Sequence, residues 1–190
     1  MPDKTRNEQA ERDDAELAGL AGNGDEAAFR KLLEKYRNKI LAICLRMLKD
    51  ITEAEEAAQD SWVKIYFHLK SFDKERSFVV WAGAIAMNDC RDRLRKRSRN
   101  KKYFREIDER DGAYEMAIES NCETGDSNLK SVEQALEALP GKLKEIIVLK
   151  AYGEYSYEDI AKILGVRIGT VMSRLFRARK KLTEILKKAK

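Results

Sequence analysis

Apolar residues recur at three- and four-residue steps along most of this chain, and only 2 prolines in 190 residues interrupt them. That spacing puts apolar side chains on one face of an α-helix and does not match the two-residue alternation of a strand. Leu, Ala, Glu, Lys and Arg dominate, all good helix formers, and there are only 10 glycines. The sequence therefore predicts an all-α protein. Phe29, Leu32, Leu33, Tyr36, Ile40, Ile43, Cys44, Met47 and Leu48 form the first stripe, from Asp25 onward. After a break at Asp50 to Thr52, Ala54, Ala57, Ala58, Trp62, Ile65, Tyr66 and Leu69 form the second. A polar loop, Ser71 to Arg76, leads to Ser77, a residue suited to cap the next helix. Phe78, Trp81, Ala82, Ile85, Ala86 and Leu94 give that helix its seam.

The periodicity fades from about Asn100 to Asn128 and returns at Leu129, with Val132, Leu136 and Leu139. These changes divide the chain into a polar tail at 1–24, a helical domain at 25–98, a linker at 99–128 and a second helical domain at 129–190. Roughly 30 flexible residues would span about 30 Å, so two domains so joined could work on separate surfaces. Within the linker a short helix near Tyr103 to Ile118 is an open alternative.

The stretch SYEDIAKILGVRIGTVMSRLFRARKKL, Ser156 to Leu182, has the pattern of a helix-turn-helix. Ser156 and Asp159 are spaced as a capping box. Gly165 suits the left-handed residue that closes a helix, and Val166 fills the gap between two helices. The second helix buries Val171, Leu175, Ala178 and Leu182. Its other face carries Thr170, Ser173, Arg174, Arg177 and Lys181, with Arg167 just before it. In this motif such residues meet base edges and phosphates in the major groove, where Arg pairs with guanine in bidentate fashion. Arg174 borders the packing face and has a partly structural part to play. Met172 is a poor hydrogen-bonding partner for a base, so no readout role is assigned to it. The opposing reading is a helical hairpin with a solvated basic face.

Charge elsewhere is segregated rather than large; the formal net value is +5. Asp50, Glu53, Glu55, Glu56 and Asp60 crowd the start of one helix, where its dipole favours carboxylates. A docking surface and a merely solvated helix start both fit. Next come aromatics, Asn88 and the run RDRLRKRSRNKK. Aromatics beside basic side chains suit unstacked or flipped bases; the plainer alternative makes Phe72, Phe78 and Trp81 core, and core is the preferred role for Phe78 and Trp81.

Three motifs occur in order: D-x-x-E-A-E-E-x-x-Q-D-x-W, F-x-x-W-x-x-x-I-A-x-N-x-x-x-D, and the helix-turn-helix. Together they resemble the sigma-70 family of transcription initiation factors, in particular the small extracytoplasmic function (ECF) group. The resemblance covers 25–98 and 129–187. It implies sigma domain 2 and sigma domain 4 joined by a flexible linker. It also implies a factor that binds core RNA polymerase and directs it to promoters. On that reading Asp50, Glu53, Glu55, Glu56, Gln59, Asp60 and Trp62 match the surface for the β′ clamp helices, and the β subunit is a second contact. Ser71, Phe72, Lys74, Arg76 and Ser77 fall in the loop that receives a flipped −10 base. Asn88, Arg91 and Arg95 fall on the helix that grips −10 DNA, and Arg167, Thr170, Ser173, Arg174, Arg177 and Lys181 match the −35 reader. An anti-sigma factor is a further implied partner. The chain departs from many relatives at Ala82, Gly83, Ala84 and Met87, where they carry bulkier or basic residues, and at Met172, where Lys or Arg is common.

No nucleophile–base pair or phosphate-cradling glycine loop points to catalysis, so no enzyme activity and no cofactor are expected. The 3 cysteines are widely spaced, and His68 stands alone, which gives no metal-ligand pattern. No apolar run approaches the roughly 20 residues of a membrane span, so a cytoplasmic protein without membrane insertion is expected. A stand-alone helix-turn-helix regulator, or a helical module that sequesters a partner, are the competing functions. The first would bind its operator without polymerase; the second would be indifferent to charge reversal at Arg174 and Arg177.

Overall fold

Each break in the helical pattern is a place where the backbone needs help, and the computed structural model provides it with side chains. The structure describes residues 4–111 and 127–188. Asp25 caps helix α2 (Glu26–Leu48) by accepting the Ala28 N–H at 3.0 Å. Asp50 does the same for α3 (Ile51–His68), accepting the Glu53 N–H at 2.7 Å. Such a cap is worth about 1 kcal/mol. A single 3₁₀ turn, Leu69–Ser71, follows, and then α4 (Phe78–Asp111). The later helices are α5 (Ser127–Glu137), α6 (Gly141–Ala151), α7 (Tyr157–Leu164) and α8 (Ile168–Lys188).

Two boundaries differ from the sequence reading. The expected tail contains a helix, α1 (Lys4–Gly22), packed on α2. Ala18 and Ala21 are buried there, and buried Asp14 accepts hydrogen bonds from Lys35 Nζ (2.6 Å) and the Tyr36 hydroxyl. Gly22 lets α1 approach the Leu69 carbonyl, which a Cβ would meet at 3.0 Å. Alanines, one ion-paired carboxylate and a half-buried Leu17 do the packing, so no stripe of large apolar residues announces it. At the other end α4 continues unbroken to Asp111, past the boundary expected after Ser98. The rest of the expected linker, 112–126, lies outside the described residues.

Helices α1 to α4 form one bundle around Leu32, Ile40, Ile43, Ile65, Phe78 and Met87. Helices α5 to α8 form a second around Ile146, Val148, Leu149, Ile160 and Val171. The two do not stand apart: α4 packs on α7, α2 packs on α6, and the buried apolar residues run continuously through both bundles. Among the described residues no helix is long and apolar enough to cross a membrane.

Candidate nucleic-acid and polymerase interfaces

Helices α7 and α8 form the expected helix-turn-helix. The Ser156 Oγ accepts the Asp159 N–H at 3.0 Å, and an Asp159 carboxylate oxygen accepts the Ser156 N–H at 3.3 Å, completing a capping box. Gly165 closes α7 at φ 65°, a left-handed conformation that costs a residue with a Cβ about 1 kcal/mol or more. The turn is further tied by the Val166 N–H to the Ala161 carbonyl at 3.0 Å. Val171, Leu175 and Ala178 pin α8 to its bundle. Arg167, Ser173, Arg177 and Lys181 are exposed, whereas Thr170 and Arg174 are half-buried beside the packing face. Met172 and Phe176 are also exposed, and the sequence reading gave neither a role. The face of α8 directed away from its core thus runs through Gly169, Met172, Ser173, Phe176, Arg177 and Lys180. That stripe is displaced by one residue from the one expected.

On the first bundle the acidic start of α3 faces the basic run of α4. Arg93 pairs with Glu56 (3.2 Å) and Asp60, and Arg97 approaches Glu53 at 3.9 Å. Lys64 pairs with buried Asp89, which also accepts the Ser61 hydroxyl at 3.0 Å. An open cleft of about 620 Å³ between α3 and α4 is lined by these charges. So part of the basic run is neutralised within the chain. Asp50 serves as a cap, while Glu55 and Gln59 are exposed. Trp62, which the resemblance places on the polymerase surface, also belongs to the apolar seam, and it lies in that seam here. It is buried, edge-on to Phe29 at 6.0 Å between centroids, because its large apolar ring gains more in the core. Val63, Tyr66 and Phe67 on the same helix are exposed instead, at positions the sequence reading assigned to the seam or passed over.

The loop at 71–77 divides similarly. Ser71 is exposed and donates to the His68 carbonyl at 2.9 Å, Arg76 pairs with Asp73 at 3.2 Å, and the Lys74 side chain lies along Gly19 of α1. Phe72, which the resemblance places in the base-receiving loop, packs with the core aromatics in this arrangement. It is buried against Trp81 (5.0 Å) and Phe78 (5.8 Å), an apolar ring drawn into an aromatic cluster. Ser77 occupies the cap position of α4, and its carbonyl accepts the Trp81 N–H at 3.1 Å. Its hydroxyl does not cap: it is buried without a hydrogen-bond partner among the described residues. Phe78 is core, as expected, and Trp81 packs partly buried beside it.

Further along α4, Asn88 is exposed and accepts from Arg91 at 3.2 Å, and Arg95 pairs with Asp92 at 3.1 Å in solvent. Arg91 itself is engaged by the other bundle. Its Nε and Nη2 donate to the two carboxylate oxygens of Glu145 on α6, at 2.9 and 2.8 Å. Both side chains are largely shielded, 22% and 12% exposed, and the Glu145 hydrogen bonds raise the Arg91 pKa further. Around this fork, Lys144 is buried and donates to the Met47 carbonyl at 3.1 Å; burial lowers its pKa. The Tyr155 hydroxyl donates to the Val79 carbonyl at 3.0 Å, directly over Gly83, where any Cβ would collide with it. Arg46 stacks over Tyr152 and pairs with Glu133, and Lys49 pairs with Glu137 at 2.9 Å. The departure at Gly83 therefore has a structural reason: the bare backbone of α4 is where Tyr155 seats.

Comparisons with known proteins agree with this architecture. The family described as "Sigma-70 region 2" matches residues 32–100, and "Sigma-70, region 4" matches 129–182. The chain is 32% identical to the ECF RNA polymerase sigma factor SigW of Bacillus subtilis, over 86% of this chain and 91% of that one. It is equally identical, 32%, to the RNA polymerase sigma-H factor of Pseudomonas aeruginosa, over 91% and 93%. Among solved structures it is similar to CnrH in complex with the cytosolic domain of CnrY, with a TM-score of 0.72 and 26% identity over 94% of this chain and 99% of that one. It is also similar to RpoE of Bartonella quintana in complex with the anti-sigma factor NepR, with a TM-score of 0.67 and 29% identity over 84% and 96%.

Proposed function

This chain belongs to the ECF group of the sigma-70 family, and we propose from that premise how its surfaces share the work of reading a promoter. As a sigma factor it is not an enzyme; it directs core RNA polymerase to promoter DNA through region 2 and region 4. The proposal concerns which residues do so. Region 4 presents α8 to the −35 duplex with Arg167, Ser173, Arg177 and Lys181 outward, and Thr170 and Arg174 at the edge of the packing face. Region 2 meets −10 DNA with Ser71, Lys74, Arg76, Asn88, Arg91 and Arg95. Phe72 holds the loop from beneath through its packing on Phe78 and Trp81, and the Ser77 carbonyl accepts the Trp81 N–H at the start of α4. Glu53, Glu55, Glu56, Gln59 and Asp60, extended by exposed Val63, Tyr66 and Phe67, form the α3 surface for the β′ clamp helices. The apolar members give this surface the desolvatable centre that an acidic patch alone lacks.

The observation that carries the reading is that two helices with exposed basic side chains lie on separate bundles, α8 within its capped helix-turn-helix and α4 with its arginines. The two elements impose a geometric demand. Sites labelled −35 and −10 lie about 25 base pairs apart, or about 85 Å of duplex at ~3.4 Å per step. A packed body of this length has a radius of gyration of about 16 Å, far too small to reach both. The bundles must therefore part on the promoter, which frees Arg91 from Glu145. An anti-sigma factor would act by holding them together or by covering α3. The two solved relatives, each in complex with another protein, support such a partner. The site of action on this reading is the cytoplasm.

Run-off transcription with purified core polymerase tests the proposal. Promoter-dependent transcripts should appear only when this chain is added, and specific binding should require core. A chain that bound one operator tightly without core, and initiated nothing with it, would instead be a stand-alone regulator.

A further inference from the structure

Helix α8 exposes hydrophobic side chains where a DNA reader is expected to expose only polar ones. Met172 is 51% exposed and Phe176 is 71% exposed, one helical turn apart. Both lie on the stripe directed away from the buried Val171, Leu175 and Ala178, and each sits next to a polar member, Ser173 or Arg177. The stripe begins at Gly169, where a Cβ would meet nothing within 4 Å, so the helix backbone is bare at its leading end. No other helix covers this face, even in the packed arrangement: among the described residues α8 meets α5, α6 and α7 with its buried side, and region 2 touches α6 and α7 instead.

An exposed apolar pair normally marks an apolar protein partner. Here its surroundings point elsewhere. Arg167, Arg177, Arg179, Lys180 and Lys181 surround it and are all exposed, a cationic rim that suits a polyanion. In the major groove the base pairs offer one apolar group, the C5-methyl of thymine. A methionine is unbranched and polarisable and can follow the groove floor to such a methyl. An aromatic ring can cover one with its face or edge.

We propose that Met172 and Phe176 read thymine methyl groups within the −35 element, beside hydrogen bonds made by Ser173 and Arg177. This rests on α8 being the −35 reader and names what it reads. Where a Lys or Arg at position 172 would favour a guanine edge, this chain favours an A·T pair. Met172 is then a specificity-determining residue rather than a gap in the recognition face.

The test uses holoenzyme reconstituted from core polymerase and the full chain. A −35 sequence is selected from a randomised library in front of a fixed start region, and each thymine in it is then replaced by deoxyuridine, which removes only the methyl. At least one replacement should weaken binding about fourfold, the worth of one buried methyl-sized group. Met172→Ala or Phe176→Ala should lose a similar factor on the thymine template and show no further loss on the deoxyuridine one. Met172→Arg should shift the selected sequence toward G·C at that position. Indifference to every deoxyuridine, or a loss that persists undiminished in both alanine variants, overturns the proposal. If either alanine variant weakens binding to core in the absence of DNA, the face belongs to a polymerase subunit and the proposal also falls. A selection that returns no −35 preference at all removes the −35 assignment itself, which is a separate and recognisable failure.

Discussion

The two helices proposed to meet DNA in this sigma factor stand in opposite states. On α8, Ser173 and Arg177 face solvent. On α4, Arg91 is locked in a shielded fork with Glu145 of the opposite bundle. One helix leaves its proposed DNA contacts open to solvent; on the other, one proposed contact, Arg91, is already paired with a carboxylate. The difference teaches that regions 2 and 4 are not independent readers in the free chain. Region 4 carries the acid that engages Arg91 of region 2, while Asn88 and Arg95 on the same helix stay exposed, so on the proposed mechanism it is Arg91 that the separation of the bundles releases.

Breaking the fork should have the largest effect. Glu145→Lys leaves Arg91 shielded and opposed by a like charge, a penalty on the order of 3 kcal/mol for a largely buried pair. The free chain should open, with a larger radius of gyration by small-angle scattering and stronger nonspecific DNA binding; an unchanged radius would mean that Glu145 does not hold the bundles. Arg177→Glu attacks the other side of the comparison. It should cost about 1–3 kcal/mol of promoter binding by holoenzyme, with affinity for core unchanged. Equal loss on a template with a scrambled −35 would show that Arg177 contributes only general attraction.

Gly83→Ala sharpens the comparison because its two effects differ in sign. Within α4 the substitution favours the helix by about 1 kcal/mol. At the interface the new Cβ collides with Tyr155 and breaks its hydrogen bond to Val79. The variant should open while its first bundle melts at a slightly higher temperature; closure that survives intact would remove Tyr155 from the account. Protonation should give the smallest effect. Burial, with Lys49 adding repulsion and Glu137 opposing it, lowers the Lys144 pKa in the packed state. That state therefore holds fewer protons than the open one between the lowered value and the ordinary lysine value of about 10.4. Packing should strengthen as the pH rises through the lower part of that window and stay level below it; at about pH 10 the interface Tyr155 hydroxyl, whose pKa burial raises, starts to ionise in the open state and opposes the trend. A fluorescence distance followed from neutral to alkaline pH would show it, and a strengthening on acidification would have the wrong sign.

Much of this was legible in the sequence where large apolar residues or short local motifs carry the structure. The stripe Val171, Leu175 and Ala178, the Ser156–Asp159 box and Gly165 all act within a few residues of one another. Helix α1 was not legible, because alanines and a buried Asp14 pack it, and that aspartate is tolerable only beside Lys35 and Tyr36 from α2. Trp62 and Phe72 fit motif positions, yet burial of their rings outweighs exposure. Met172 offers no hydrogen bond that would mark it as a reader, although its position relative to the buried stripe places it outward. The contacts between the bundles were the least visible. Glu145, Lys144 and Tyr155 find partners 54, 97 and 76 residues away, and nothing in their local pattern identifies those partners.

On the proposed mechanism the bundles are together in the free chain and apart on the promoter. Dyes at Glu34→Cys on α2 and Thr183→Cys on α8, both exposed positions, would report it in a chain with Cys122→Ser. In the free chain the pair should lie within the packed body, at most about 40 Å apart. Addition of core polymerase and promoter DNA should lengthen that distance by several tens of ångströms, and Glu145→Lys should lengthen it without them. A distance already long in the free wild-type chain, or one that stays short in the promoter complex, would contradict the account.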